Sequence, residues 1–404
     1  MAEIQWLEGG ITAVPGILAA GGTAGIKPSG KKDLALIYSS SPARAAAVFT
    51  SNQIKGAPVL VSQEHIKGRR AQAIVANSGI SNVCTGEQGL KDAREMTRIV
   101  GELLRIPAQQ VLVGSTGVIG PALPMDKIRA ALPKLVKSLS PQGGRSAAEA
   151  IMTTDTVAKE AACRIEVGGR VVTIGGIAKG VGMIEPHLAT MFCFMATDAV
   201  IAADALQAAL RRAVDGSFTR VTVDSDQSTS DTVAVLANGL AGNAAVARTG
   251  RVFTQFRQGL EAVARRLALM LVRDGEGATK VVEVRVTGAR SRKDAVLAAR
   301  SIGNSPLVKT AINGADPNWG RIMMALGKSA ARVVQDRVSV RIGDDVLVEK
   351  GAFRPGARIE RLRETMSQSE FTIVVDLGSG TAEDRVWTCD LSKEYVRINA
   401  EYTT

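Results

Sequence analysis

The sequence predicts a layered α+β chain, and three observations point there. Strand-like and helix-like segments mix along the whole length, with no internal repeat and no low-complexity linker. The composition, 46% hydrophobic and 22% charged, is that of a globular protein rather than a disordered or fibrous one. A chain of 404 residues removes roughly three quarters of its unfolded surface from water, so its core needs no disulfide or metal staples. Aromatic residues make up only 3%, which leaves Ala, Val, Leu and Ile to build that core.

The elements follow in chain order. Residues 34–38 and 73–75 are short apolar runs that read as buried strands. Within 87–105, Leu90, Ala93, Met96, Val100 and Leu103 recur at helical spacing. Residues 111–117 read as a strand entering a Gly-rich turn, and 125–139 as a helix that Pro133 should kink or end. The turn-rich run 140–144 is the best mid-chain break. Residues 164–174 alternate around Gly168-Gly169, a two-residue hairpin signal. Next come a buried strand at 191–196, a helix at 202–214 that stops at Gly216, and a strand at 232–236. Gly250–Arg273 is the longest helical pattern, ended by Asp274-Gly275. Residues 280–287, 332–342 and 371–377 are strand-rich.

Charge and cysteine usage remove several functions. The formal charge is +11, divided as +7 over residues 1–189 and +4 over 190–404. The densest basic clusters, Lys67-Gly-Arg-Arg70 and Arg265-Arg266, have no stacking aromatics between them. The surplus therefore reads as solvated surface or attraction for anionic metabolites, not as a nucleic-acid groove. Cys84, Cys163, Cys193 and Cys389 are scattered without C-x-x-C spacing, which makes neither a disulfide framework nor a zinc cluster. The amino terminus lacks the basic start and apolar run of a signal peptide. No apolar stretch approaches the ~18 residues of a membrane span. A reducing cytoplasm is the expectation.

The chemistry has to work with two histidines, His65 and His187, neither in a G-x-S-x-G or H-E-x-x-H setting. Asp224-Ser-Asp-Gln-Ser-Thr-Ser-Asp231 lacks the Gly and bidentate Glu of a calcium loop and reads as an Asp/Ser/Thr turn. Neither Gly114-Ser-Thr-Gly-Val-Ile-Gly120 nor Gly175-Gly-Ile-Ala-Lys-Gly-Val-Gly182 fits a phosphate loop. The second, however, leads through a Pro-containing loop to Ala189-Thr190 at the start of an apolar strand. In isolation, a Thr there is a β-branched strand residue. A small residue before a hydroxyl residue at a loop-to-strand junction is also what self-cleavage by an N-to-O acyl shift requires. Its product is an amino-terminal Thr whose own amine serves as base, so the scarcity of His ceases to be an obstacle.

Lys179-Gly-Val-Gly-Met-Ile-Glu-Pro-His-Leu-Ala-Thr190-Met resembles the self-cleavage motif of the ornithine acetyltransferase family, the bifunctional glutamate N-acetyltransferases of arginine biosynthesis. The resemblance spans essentially the whole chain. Its landmarks include Phe49-Thr-Ser-Asn52, Val75-Ala-Asn-Ser-Gly79, Gly114–Gly120, Ile151-Met-Thr-Thr-Asp155 and Val223-Asp-Ser-Asp226. They continue with Asp274-Gly-Glu-Gly-Ala-Thr-Lys280, Asn313-Gly-Ala-Asp-Pro-Asn-Trp-Gly320 and Ile398-Asn-Ala-Glu-Tyr-Thr-Thr404.

The resemblance implies an αββα self-processing sandwich of the kind shared with DmpA-like aminopeptidases. It implies a cut between Ala189 and Thr190, giving chains 1–189 and 190–404 that stay together as a heterotetramer of two of each. Thr190 would be the nucleophile of a ping-pong transfer from N-acetylornithine to glutamate, with acetyl-CoA as a possible second donor and no cofactor or metal. The Thr116 side chain and the Gly117 N–H would hold the oxyanion. Substrate contacts fall on Thr153, Lys179, Thr190, Glu276, Asn399 and Thr404, with Thr154 and Thr156 close enough for the first to slip in register. Two departures stand out: His187-Leu188 where the family has Asn-Met, and Ser230 where it has Asn. The alternatives are a self-processing amidohydrolase or aminopeptidase of the same fold, which passes the acyl group to water, and a non-enzymatic basic binding protein that remains one intact chain.

Overall fold

A computed structural model describes residues 3–185 and 191–401. Three sheets organise it. The first has six strands in the order Gln5–Leu7, Lys159–Val167, Arg170–Lys179, Phe192–Thr197, Thr232–Ala237 and Arg44–Phe49. The second has four: Ile17–Gly22, Leu34–Ser39, Ala73–Ile80 and Val111–Val118. The third, seven-stranded sheet is built from the carboxyl-terminal part of the chain, with Val281–Ala289 and Glu370–Asp376 as parallel neighbours.

Alternation along the strands turns the first two sheets into four layers. Phe192 and Phe194 point with Ala234 and Leu236 into a core shared with Ala35, Ile37, Ile74 and Leu112 of the four-stranded sheet. Cys193, Met195, Val233 and Val235 point the other way, onto helices Ala203–Asp215 and Gly250–Arg273. The outer face of the four-stranded sheet, with Leu36, Val75 and Val113, is covered by helices Gly86–Leu104 and Met125–Lys137. The result is αββα, with the predicted small aliphatic core. Since both sheets are covered on both faces, Phe192–Thr197 and Thr232–Ala237 are buried at every residue, which explains why neither carries a charged residue and why each is apolar but for one terminal Thr.

Several expectations shift. Pro133 lies inside helix Met125–Lys137 without ending it, because Ile128, Leu132 and Leu135 keep that helix on the core across the missing N–H. Residues 140–144 are no boundary: the Ser140 and Ala19 backbones exchange hydrogen bonds of 3.1 and 3.0 Å, stitching the run to the four-stranded sheet. Within 332–342 only Ser339–Ile342 is a strand, since the preceding residues are largely exposed and pair with no neighbour. The expected Gly-rich turn after 111–113 is instead strand through Val118, held in register by Ala73–Ile80. The hairpin at Gly168-Gly169 forms as predicted, with φ of 59° and 78°.

Candidate active site

The ends of three segments meet beside the six-stranded sheet. Strand Val111–Val118 carries Thr116, 2% exposed, and Gly117. Gly117 has φ of +129°, and a Cβ there would lie 2.3 Å from the Gly79 carbonyl carbon, so only glycine fits. Strand Arg170–Lys179 delivers Lys179, 1% exposed, whose Nζ donates to Thr153 Oγ1 at 2.7 Å and to Thr116 Oγ1 at 3.4 Å. Burial lowers the Lys179 pKa; Asp155 opposes this and Lys159 reinforces it.

Beneath these lies a buried charge lattice. Lys159, with no exposed surface, bridges Asp155 at 2.7 Å and Asp274 at 2.6 Å. Asp155 Oδ1 also accepts the Gly180 N–H at 2.8 Å, and Asp155 Oδ2 accepts the Thr153 N–H at 3.0 Å. Burial raises the Asp155 pKa, but the charges of Lys179 and Lys159 and these hydrogen bonds outweigh it and hold the carboxyl at about 2. The three threonines of the 151–156 run find three partners. Thr153 meets Lys179, Thr154 donates to Glu276 Oε1 at 2.7 Å, and Thr156 is bound by Asp274.

Glu276 also accepts a hydrogen bond from Asn399 Nδ2 at 2.8 Å. Asn399 belongs to the carboxyl-terminal helix Lys393–Glu401, which is further tied by Tyr395 Oη donating to Asp224 Oδ2 at 3.3 Å. These two contacts bring that helix against Glu276 and Asp224. Asp224 in turn accepts the Met183 and Ile184 N–H groups at 2.5 and 2.8 Å, and Asp231 accepts the Met191 N–H at 2.7 Å. The Asp224–Asp231 segment therefore holds the backbone on both sides of 186–190. His65 has a different role: it ends helix Ala57–His65, and its Nδ1 is hydrogen-bonded to the Val111 carbonyl at 2.8 Å. Among the described residues no cluster of side chains is arranged to hold a metal ion, and no helix is long and apolar enough to cross a membrane.

The ArgJ family model matches residues 18–404. The chain belongs to the ArgJ family. The arginine biosynthesis bifunctional protein ArgJ of Symbiobacterium thermophilum is 49% identical over 406 residues, covering 99% of this chain and all of that protein. The protein of the same name from Synechococcus is 46% identical over 415 residues, covering both chains completely. A crystal structure of arginine biosynthesis bifunctional protein argJ from Bacillus halodurans aligns at 41% identity with a TM-score of 0.44, covering 47% of this chain and 99% of that one.

Of the residues predicted from sequence, this ArgJ-family chain brings Thr116, Gly117, Thr153, Lys179, Glu276 and Asn399 into one connected neighbourhood. Ala189, Thr190 and Thr404, together with His187 and Leu188, lie outside the described residues. Sequence reasoning missed Lys159, Asp274 and Asp231. The one signal available for Asp231 is position: it is a charged residue directly before the mostly apolar run Thr232–Ala237. Lys27 was missed too. Its Nζ donates to the Met152 carbonyl at 2.7 Å, and burial, with Lys179 nearby, brings its pKa down to about 8 despite Asp33.

Proposed function

We propose that this ArgJ-family acetyltransferase of arginine biosynthesis cuts itself between Ala189 and Thr190 and then moves acetyl from N-acetylornithine to glutamate through an ester on Thr190. The observation that carries the reading is the approach of Lys179 to Thr116 at the point where the backbone on both flanks of 186–190 is gripped by Asp224 and Asp231. Full-length membership in a family whose members are named for arginine biosynthesis supports it.

The chemistry follows from these groups. The freed α-amine of Thr190, with a reference pKa of about 7.7–8.0, takes the hydroxyl proton as Oγ attacks the acetyl carbonyl. Thr116 Oγ1 already receives a hydrogen bond from the Lys179 ammonium, which leaves its own O–H to point at the oxyanion beside the Gly117 N–H. Collapse breaks the amide bond, and ornithine leaves with the proton held by the amine. Glutamate then attacks the acetyl ester in reverse order, and Thr190 regains its proton. Glu276 supplies the negative charge for the ornithine side-chain ammonium, and Lys179 the positive charge for a substrate carboxylate. Thr153 and Asn399 orient these two groups, and Thr404 completes the contact set. Acetyl-CoA is a second donor in this reading. No cofactor or metal enters the mechanism. The two chains remain associated, two copies of each, in the cytoplasm.

The test is intact-mass analysis with amino-terminal sequencing of wild type and Thr190→Ala. The wild type should give chains of 189 and 215 residues, the second beginning at Thr190, and the variant a single 42.3 kDa chain. An uncut wild type would overturn the reading.

A further inference from the structure

Ornithine and glutamate differ at the end of the side chain, and the charges assigned so far serve only one of them. Glu276 answers the side-chain ammonium of ornithine, but it would repel the side-chain carboxylate of glutamate. Lys179 is assigned to the carboxylate that both molecules share. Glutamate therefore needs a second cation close to Lys179. Lys159 does not qualify: it has no exposed surface, and its ammonium lies between Asp155 and Asp274. Lys280 turns elsewhere, donating to the Ile312 and Asn313 carbonyls at 2.7 and 3.1 Å with Asp390 as its neighbouring charge.

Lys27 is placed for the task. Its loop is pinned by Asp33, a carboxylate with no exposed surface that accepts the Ala24, Ile26 and Lys27 N–H groups at 2.5, 2.6 and 3.1 Å. The Lys27 side chain then crosses Gly79, where a Cβ would lie 3.2 Å from Lys27 Cγ, and Gly79 is the register partner of Gly117. Lys27 Nζ donates to the Met152 carbonyl at 2.7 Å and to the Lys32 carbonyl at 2.8 Å, while Lys179 Nζ meets the hydroxyl of the next residue, Thr153. Two ammonium groups thus flank consecutive residues. The charges around Lys27 are Asp33 and Asp155, opposed by Lys31 and Lys179. Lys32 is paired with Glu149, and Lys127 donates to the Gly25 carbonyl at 2.9 Å. An ammonium has three N–H groups, and the two carbonyls take two of those on Lys27. We propose that Lys27 determines acceptor specificity: its third N–H binds the side-chain carboxylate of glutamate while Lys179 binds the α-carboxylate. This rests on the reading of the protein as a transferase from N-acetylornithine to glutamate. Lys27 then serves the second half-reaction and not the first, because the ornithine side chain ends in an ammonium that goes to Glu276.

The two half-reactions separate this role from a structural one. Acetyl-enzyme made from N-acetylornithine is mixed with glutamate, or with glutamine, which has nearly the same shape and no side-chain charge. The second-order rate constant of deacetylation is measured for each acceptor in wild type, Lys27→Met and Lys27→Arg. Lys27→Met should form acetyl-enzyme at the wild-type rate but lose the preference for glutamate over glutamine by about tenfold or more. Lys27→Arg should keep most of it. In the wild type the preference should fall as pH rises through about 8, where Lys27 loses its proton. Titration of Lys179 and of the catalytic base acts on both acceptors alike and cancels in the ratio. The fall should vanish in Lys27→Arg, whose guanidinium stays charged. An unchanged preference in Lys27→Met would overturn the proposal. Equal loss in both half-reactions would overturn it too, leaving Lys27 as a brace for Met152. Should Lys27→Met fail to fold, a wild-type preference that stays flat through about pH 8 overturns it alone. A wild type that forms no acetyl-enzyme would instead mark failure of the transfer reading itself.

Discussion

The Lys179 ammonium donates to Thr116 Oγ1 across 3.4 Å, joining strands from two different sheets in the interior of the protein. The hydroxyl assigned to the oxyanion is therefore held by a buried cation. Thr116→Ala should cost about 2.7–4 kcal/mol of transition-state stabilisation, roughly 10²–10³ in kcat, with KM little changed. Steady-state kinetics with N-acetylornithine and glutamate measure this. A loss confined to KM would place Thr116 in binding rather than in oxyanion stabilisation.

Lys159 holds two carboxylates that have almost no access to water. Removing its charge leaves Asp274 without its cation and Asp155 with only the more distant Lys179, and breaking one buried pair costs about 3–5 kcal/mol. Lys159→Met should lower the midpoint of denaturant or thermal unfolding accordingly. Lys159→Arg should recover only part of the loss, since the compact ammonium site does not suit a planar guanidinium. An unchanged midpoint in Lys159→Met would contradict the lattice as a stabilising unit.

Acid sensitivity should trace to the same lattice. Asp155 sits at about 2 in the folded protein, below the unfolded carboxylate value of about 3.9. It therefore contributes stability above about pH 4 that is lost progressively as pH falls toward 2. Urea midpoints measured between pH 6 and 3 should fall with acid in the wild type. In Asp155→Asn the curve should start lower and run flatter. Parallel curves would mean that other carboxylates dominate.

The carboxyl-terminal helix Lys393–Glu401 contributes no buried residue to the core, yet its Asn399 is bonded to Glu276. Deleting residues 399–404 should abolish turnover while leaving solubility and the unfolding midpoint nearly unchanged. Asn399→Ala should raise KM, because Glu276 loses the partner of its Oε2 and keeps only the Thr154 hydrogen bond on Oε1. Retained activity in the deletion would separate the terminus from the site.

The sequence made most elements legible where local signals were unopposed. Helix Gly250–Arg273 ends where its apolar stripe meets Asp274-Gly275, and the hairpin turns at its two glycines. It misled where tertiary contacts overrode local chemistry. Pro133 is tolerated because packing holds both sides of it, and Gly114–Val118 stays extended because a parallel neighbour pairs with it. The site was legible mainly as a set of motifs. Composition and spacing alone reached a loop-to-strand threonine. The whole-chain resemblance supplied Thr116, Lys179, Glu276 and Asn399, which the fold then gathers. Lys159 and Asp274 stayed hidden because they lie 115 positions apart, and nothing in a Lys or an Asp reports that it will be buried.

The most direct test of the central claim is the mass of the second chain after incubation with N-acetylornithine and no glutamate. The account predicts the gain of one acetyl on the chain that begins at Thr190, mapped by fragmentation to that residue and discharged when glutamate is added. Absence of the adduct, its appearance on another residue, or rapid release to water without glutamate would contradict it.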